Sequence, residues 1–294
     1  MHPPHLRILT PHPGLFAYYD GRIPGYRFDP RDNWVDDGAL SLGIASFALV
    51  QGDAALVYDT GTTLAHGQAM RAHLERLGVR RLRVILSHWH KDHVAGTAAF
   101  GGVEVIANAR TAAHLVSRRE EIEGGTDWPP ISPLVLPTTT FQDRLSLTLG
   151  AVRVELIAVN IHSDDATVLW LPEARILLAG DTVEDTLTYV AEPEHFATHL
   201  VDLARLAALQ PAHVLPCHGD PDMIAKGGYG PGLIAATQRY VGFLAALMDQ
   251  PDRRDTLLQD ILAPDLAAGD LHWFAPYEQV HAANVAKALA ANAR

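Results

Sequence analysis

Residues 87 to 96 read SHWHKDHVAG, a stretch that puts three histidines and an aspartate into the six positions from His88 to His93. A packed core has little use for such a cluster, because each buried imidazole needs a hydrogen-bond partner or leaves a polar group unsatisfied. Metal binding does have a use for it. Zinc favours imidazole nitrogen and carboxylate oxygen, and a catalytic zinc site keeps one position open for water. The i, i+2 spacing of His88 and His90 lets one loop present both rings to one ion, while Asp92 and His93 turn toward a second. Three further candidates stand later in the chain: His162 in NIHSDDATVLWLP, Asp181 in LLAGDT and His218 in LPCHGD. Seven ligands are too many for one tetrahedral ion and suit two ions that share a bridging carboxylate.

The elements that must position these residues are legible from apolar periodicity. IASFALVQGDAALVYDTG is a hairpin turning at Gln51-Gly52-Asp53. TLAHGQAMRAHLERLG follows as a helix, with Leu64, Met70, Leu74 and Leu77 expected toward the core and Gly78 as its stop. RLRVILSH is then a buried strand that delivers the cluster to the loop at its end. The second half repeats the order: ATVLWLPEARILLAGD is a hairpin, PEHFATHLVDLARLAAL a helix with Pro193 near its start, and AHVLPCHG a strand running to His218. Each hairpin ends in an aspartate, Asp59 or Asp181, and each later strand runs to a histidine. VEVIANAR, the helix TAAHLVSRREEIEG and the hairpin RLSLTLGAVRVELIAV complete the layers. A duplicated unit of this kind is expected to form two sheets packed face to face with helices outside, so that the strand ends of both halves meet at one edge. The fold class is α/β.

With the hexapeptide His88 to His93, His162, Asp181 and His218 in this order and spacing, the chain resembles the metallo-β-lactamase superfamily over roughly residues 40 to 222. The resemblance implies a four-layered αββα sandwich with a dinuclear site between the sheets. It implies that His88, His90 and His162 hold the first metal, that Asp92, His93 and His218 hold the second, and that Asp181 bridges them. Asp59, in VYDTG, matches a family position beside the site that orients a ligand and does not itself bind. Residues 1–230 then form the hydrolase domain, and residues 231–294 form a C-terminal helical extension packed on it, with contact between two copies or a pocket wall as its functional uses.

The expected cofactors are two divalent ions, zinc first. Their charge of +4, less three from Asp92, Asp181 and a bridging hydroxide, leaves about +1 beside an attacking oxygen. Hydrolysis is the natural use of such a centre, with Asp92 and Asp181 orienting the hydroxide. The chain has no G-x-S-x-G elbow, and its one cysteine, Cys217, is a lone thiol beside a ligand. In the zinc β-lactamases that the motifs resemble, the Asp181 position is usually cysteine, and a lysine three residues on binds the drug carboxylate; here that residue is Glu184. The His-Thr-x-Gly-His form of the family's lactonases and glutathione thioesterases is likewise replaced by HSDDAT. The reading is an ester or lactone hydrolase. A β-lactam or thioester hydrolase, an iron-dependent oxidoreductase and a binding protein without turnover are the alternatives.

Three other stretches carry weaker signals. EHFATH sets His195 and His199 four apart on a helix, but the glutamate precedes the first histidine, so this is not the H-E-x-x-H arrangement and an exposed face is expected. KGGYGPG lacks the P-loop ending and reads as a connection, from which Lys226 or Tyr229 is in reach of substrate. EEIEGGTDWPPISPLVLP, residues 120 to 137, is either a stiff lid bearing Trp128 or a packed loop. At 294 residues and 48% apolar content the chain has enough material for a sizeable core, and its net charge of −11 argues against a nucleic-acid partner. No apolar run approaches the roughly 20 residues of a membrane span. With no signal segment at its start, the protein is expected in the cytoplasm, acting on a small molecule.

Overall fold

The computed structural model describes residues 3–190, 192–247 and 249–292. The first sheet has seven strands in sequential order: β1 (Arg7–His12), β2 (Leu15–Asp20), β3 (Ile44–Gln51), β4 (Ala54–Tyr58), β5 (Arg81–Ile85), β6 (Glu104–Asn108) and β7 (Thr139–Phe141). The second has five, in the order β12-β11-β10-β9-β8: β8 (Arg144–Leu149), β9 (Val152–Ala158), β10 (Thr167–Leu171), β11 (Ile176–Gly180) and β12 (His213–Pro216). Strands β4 to β7 run parallel, as does β12 beside β11, and the other pairings are antiparallel.

The helices are α1 (Leu64–Arg76), α2 (Lys91–Val94), α3 (Ala109–Ser117), α4 (Arg119–Gly124), α5 (Phe196–Ala208), α6 (Pro221–Ala225), α7 (Gly232–Ala246), α8 (Leu258–Ala268) and α9 (Tyr277–Asn292). Strand alternation explains why strands with no polar face fold this way. In β4, Leu56 and Tyr58 enter the layer between the sheets while Ala55 and Val57 pack under α1. In β11, Ile176 and Leu178 face the first sheet while Leu177 and Ala179 pack under α5 and α7. Both faces of each sheet are therefore apolar, and four layers are needed to cover them. Each fully buried Leu or Ile contributes about 1.5–3 kcal/mol by leaving water.

Several expectations change in detail. The sheet begins before residue 40, because β1 pairs with β2 and β2 with β3. In α1, Met70 and Leu74 are fully buried, but Leu64 and Leu77 are 43% and 44% exposed. Leu64 lies about 120° around the helix from Met70, and Leu77 is the C-terminal cap. The helix expected over 111–124 divides at Arg118 into α3 and α4. Of the 120–137 stretch, residues 120–124 belong to α4 and the rest is a packed loop: Trp34 Nε1 donates to the Pro129 carbonyl at 2.9 Å, and the Arg31 guanidinium sits 3.8 Å over the Trp128 ring. Helices α7, α8 and α9 share one apolar cluster with the outer face of the second sheet.

Candidate metal centre

The ends of β4, β5, β11 and β12 and the loop between β9 and β10 meet at one edge of the sandwich. Strand β5 ends just before His88, and α2, one turn long, carries Asp92 and His93. That turn is held close to α1 by two glycines: a Cβ on Gly67 would stand 2.3 Å from the Gly96 carbonyl oxygen, and one on Gly96 would stand 2.1 Å from the Thr60 carbonyl oxygen. His162 and Asp59 have φ of 69° and 64°, in the left-handed region that residues with a Cβ seldom adopt. Both are held there by side-chain hydrogen bonds.

All seven candidate ligands come together in two donor sets. His88, His90, His162 and Asp181 form one, and Asp92, His93, Asp181 and His218 form the other. In the first, His90 Nδ1 lies 2.9 Å from both His88 Nε2 and His162 Nε2, and each of these Nε2 atoms lies 3.7 Å from Asp181 Oδ2. In the second, His93 Nε2 lies 3.1 Å and His218 Nε2 3.4 Å from the same Oδ2, with Asp92 Oδ2 at 3.5 and 3.4 Å from the two rings. Donors around a tetrahedral zinc ion are separated by roughly 3.3 Å, given bonds of about 2.0–2.1 Å.

The outer nitrogens show that the inner ones offer lone pairs. His162 Nδ1 donates to the Tyr189 carbonyl at 2.9 Å, His218 Nδ1 to the Gly43 carbonyl at 2.7 Å and His93 Nδ1 to Asp59 Oδ2 at 2.9 Å. A proton on each Nδ1 makes Nε2 the nitrogen left for metal, and Nε2 is aimed inward. Asp181 Oδ1 is buried with no hydrogen-bond partner. Donor atoms facing one another around Asp181 Oδ2, on a carboxylate whose other oxygen has no partner, fit divalent cations.

The electrostatics agree. Burial holds His88, His90 and His162 below the ordinary imidazole range, His90 down to about 3. Burial also disfavours charge on His93 and His218, yet the carboxylates around them, Asp181 first, hold both well above that range. Burial works against ionised Asp92 and Asp181 too, and the His93 charge, joined at Asp181 by that of His218, outweighs it and keeps both carboxyls well below their usual range. Without metal, protons therefore occupy the second set, and a bound cation displaces them.

Asp59 accepts from the Ser87 amide at 2.7 Å and from His93, so it orients a candidate ligand. Glu184 lines the cavity over the cluster, but its oxygens are taken by the Tyr189 amide at 3.1 Å and the Tyr277 hydroxyl at 3.0 Å. Burial pushes its carboxyl up to about 8, so near neutral pH it carries little charge to repel a substrate carboxylate. Lys226 is exposed and Tyr229 is buried with its hydroxyl on Asp185 Oδ2 at 2.6 Å; neither lines the cavity. Cys217 is fully buried away from the cavity, and burial pushes its thiol well up.

The cavity measures about 440 Å³ and is walled by residues the motifs do not reveal. Ser41 and Leu42 form one side, Tyr189 another, and Gln279, Val280 and Ala283 of α9 a third. No lysine or arginine is among its lining residues. Helix α9 is fastened to the segment after Asp181 by Tyr277 to Glu184, by Asn284 to the Thr188 carbonyl and the Val190 amide, and by Lys287 to the Tyr189 hydroxyl. Buried polar residues on a C-terminal helix, Asn284 above all, were the available signal for this role.

Two donor sets joined by one carboxylate, at the edge where two apolar sheets meet, define a metallo-β-lactamase-type sandwich. The chain belongs to the metallo-β-lactamase superfamily, whose pattern it matches over residues 41–222. It is 24% identical over 208 residues to a linear primary-alkylsulfatase of Pseudomonas sp. (strain ATCC 19151), covering 56% of this chain and 39% of that one. It is also 24% identical over 179 residues to the beta-lactamase-like protein 2 homolog of Caenorhabditis elegans, covering 60% and 56%. The chain thus spans about half or less of the length of these relatives. Among solved structures, a metallo-beta-lactamase from Pontibacter korlensis has a TM-score of 0.62 at 16% identity, covering 81% of this chain and 99% of that one. DIM-1 metallo-beta-lactamase has 0.60 at 18%, covering 82% and 98%. These likenesses show the fold.

Proposed function

We propose that the chain is a hydrolase that uses two zinc ions to cleave uncharged carbonyl esters or lactones. One observation carries the dinuclear reading: Asp181 Oδ2 lies 3.1 to 3.7 Å from four imidazole nitrogens belonging to two different donor sets. When bound, two such ions supply an ionised water near neutral pH and positive charge for a developing oxyanion. His88, His90 and His162 hold one ion, Asp92, His93 and His218 the other, and Asp181 both. Asp92 and Asp181 also accept hydrogen bonds from the attacking water and so fix its direction. Leu42, Tyr189, Val280 and Ala283 receive the substrate and exclude bulk water.

The cavity favours an uncharged substrate, because its described lining residues offer an anion no lysine or arginine. This places carboxylate-bearing β-lactams and alkyl sulfates below neutral esters, although the alkylsulfatase relative supports ester cleavage as the reaction type. The test is elemental analysis of zinc-replete protein, followed by a panel of neutral esters, lactones, thioesters, β-lactams and a primary alkyl sulfate. Two zinc ions per chain are expected, with kcat/KM highest on a neutral ester or lactone. A β-lactam, thioester or sulfate turned over at least tenfold better than every ester and lactone overturns the substrate reading. One iron and no zinc after metal-replete expression favours the oxidoreductase.

A further inference from the structure

Of the two histidines of EHFATH, only His195 reaches the surface, whereas an exposed face was expected for both. His199 is 1% exposed, while the His195 side chain is 39% exposed. They stand one turn apart where the short helical turn Pro193–His195 leads into α5, and Glu192 stands just before it. Donor atoms of Glu192, His195 and His199 all lie within 4.8 Å of one another. We propose that these three residues form a separate divalent-metal site, distinct from the seven ligands at the sheet edge.

The donor chemistry is that of an open zinc site: two imidazoles, one carboxylate and a position left for water. The partly exposed His195 leaves a way in. His195 Nδ1 faces Glu192 Oε2 at 2.8 Å and the Asn160 amide at 3.2 Å. A cation held by this carboxylate and ring would replace the Nδ1 proton and take a lone pair from each. His199 is meanwhile fixed by Asn160, its Nε2 lying 3.1 Å from Oδ1. Asn160 is two residues before His162, and α9 packs on the turn at 193–195. An ion here would therefore tie the start of α5 to the segment carrying a ligand of the main centre and to the helix that walls the cavity.

The test compares bound zinc per chain in the full-length protein and in His195→Ala, each equilibrated with excess zinc and desalted. His195 is partly exposed, so its truncation leaves the core intact, and metal-free melting temperatures check this. The variant is expected to hold one ion fewer, and Glu192→Gln to bind that ion at least tenfold more weakly by calorimetric titration. Asp181→Ala, in contrast, should lower occupancy of the main centre and leave the ion lost in His195→Ala in place. Equal zinc content in the full-length protein and His195→Ala overturns the proposal whatever the total, because the cluster is then satisfied by hydrogen bonds alone.

Discussion

At the scale of single residues, the side chains beside the ligands make the sharpest predictions. Asp59 gives one oxygen to the Ser87 amide and the other to His93 Nδ1–H, which reserves His93 Nε2 as the nitrogen that faces a bound metal. In Asp59→Asn the amide NH₂ must face one of these two donors. If it faces His93, the ring proton moves to Nε2 and the lone pair is lost. Loss of such an orienting partner typically costs 10–100-fold in metal affinity. Zinc titration should show that loss for the Asp92, His93 and His218 set, with the His88 set much less affected. Cys217 predicts the opposite: its thiol is buried, held neutral and outside the cavity, so Cys217→Ser should keep kcat/KM within about twofold. Abolished turnover with both metals retained would replace the zinc chemistry with a thiol nucleophile. That the seven candidate ligands would gather at one edge was readable from residue type and spacing. Which nitrogen of each ring faces inward was not, because the carbonyls of Gly43 and Tyr189 that select the tautomers come from distant loops.

At the scale of elements, strands and helices of the core follow from apolar periodicity, and the errors fall where periodicity says nothing about neighbours. Leu64 was expected inside because it is apolar, yet α1 meets the sheet through Met70 and Leu74. The 120–137 loop was a candidate lid because of its prolines and Trp128; the wall beside the metals is instead α9. Gln279, Val280 and Ala283 recur at helical spacing and face the cavity together. Ala283→Trp should therefore lower kcat/KM about tenfold or more for long-chain esters while sparing an acetate ester and the metal content. Equal losses for acetate and long-chain esters would mean that the substitution disturbs the centre and not the wall.

At the scale of the whole molecule, metal binding and stability are linked. In the metal-free fold His93 and His218 are held well above the ordinary imidazole range, so protons stay on them near neutrality. That contribution to the metal-free fold is fully present below the unfolded value of about 6.5 and is lost as pH rises through the folded pKa. Metal must displace the same protons, so its apparent affinity falls as pH falls, about tenfold per unit for each proton displaced. The rise in melting temperature caused by zinc should thus grow between pH 5.5 and 7.5 at fixed free zinc, and thermal scans across that range test it. A rise independent of pH would mean that those two histidines are neutral before metal binds. The sequence by itself determined the ligand types, their order and the alternating layers, since periodicity and motif spacing are local properties of the chain. Only the tertiary structure decided that one oxygen of Asp181 stands between two donor sets, that Glu184 is taken up by Tyr189 and Tyr277, and that α9 closes the cavity. Those facts depend on contacts between residues up to about a hundred positions apart, as in Tyr277 to Glu184, and no local pattern encodes such distances.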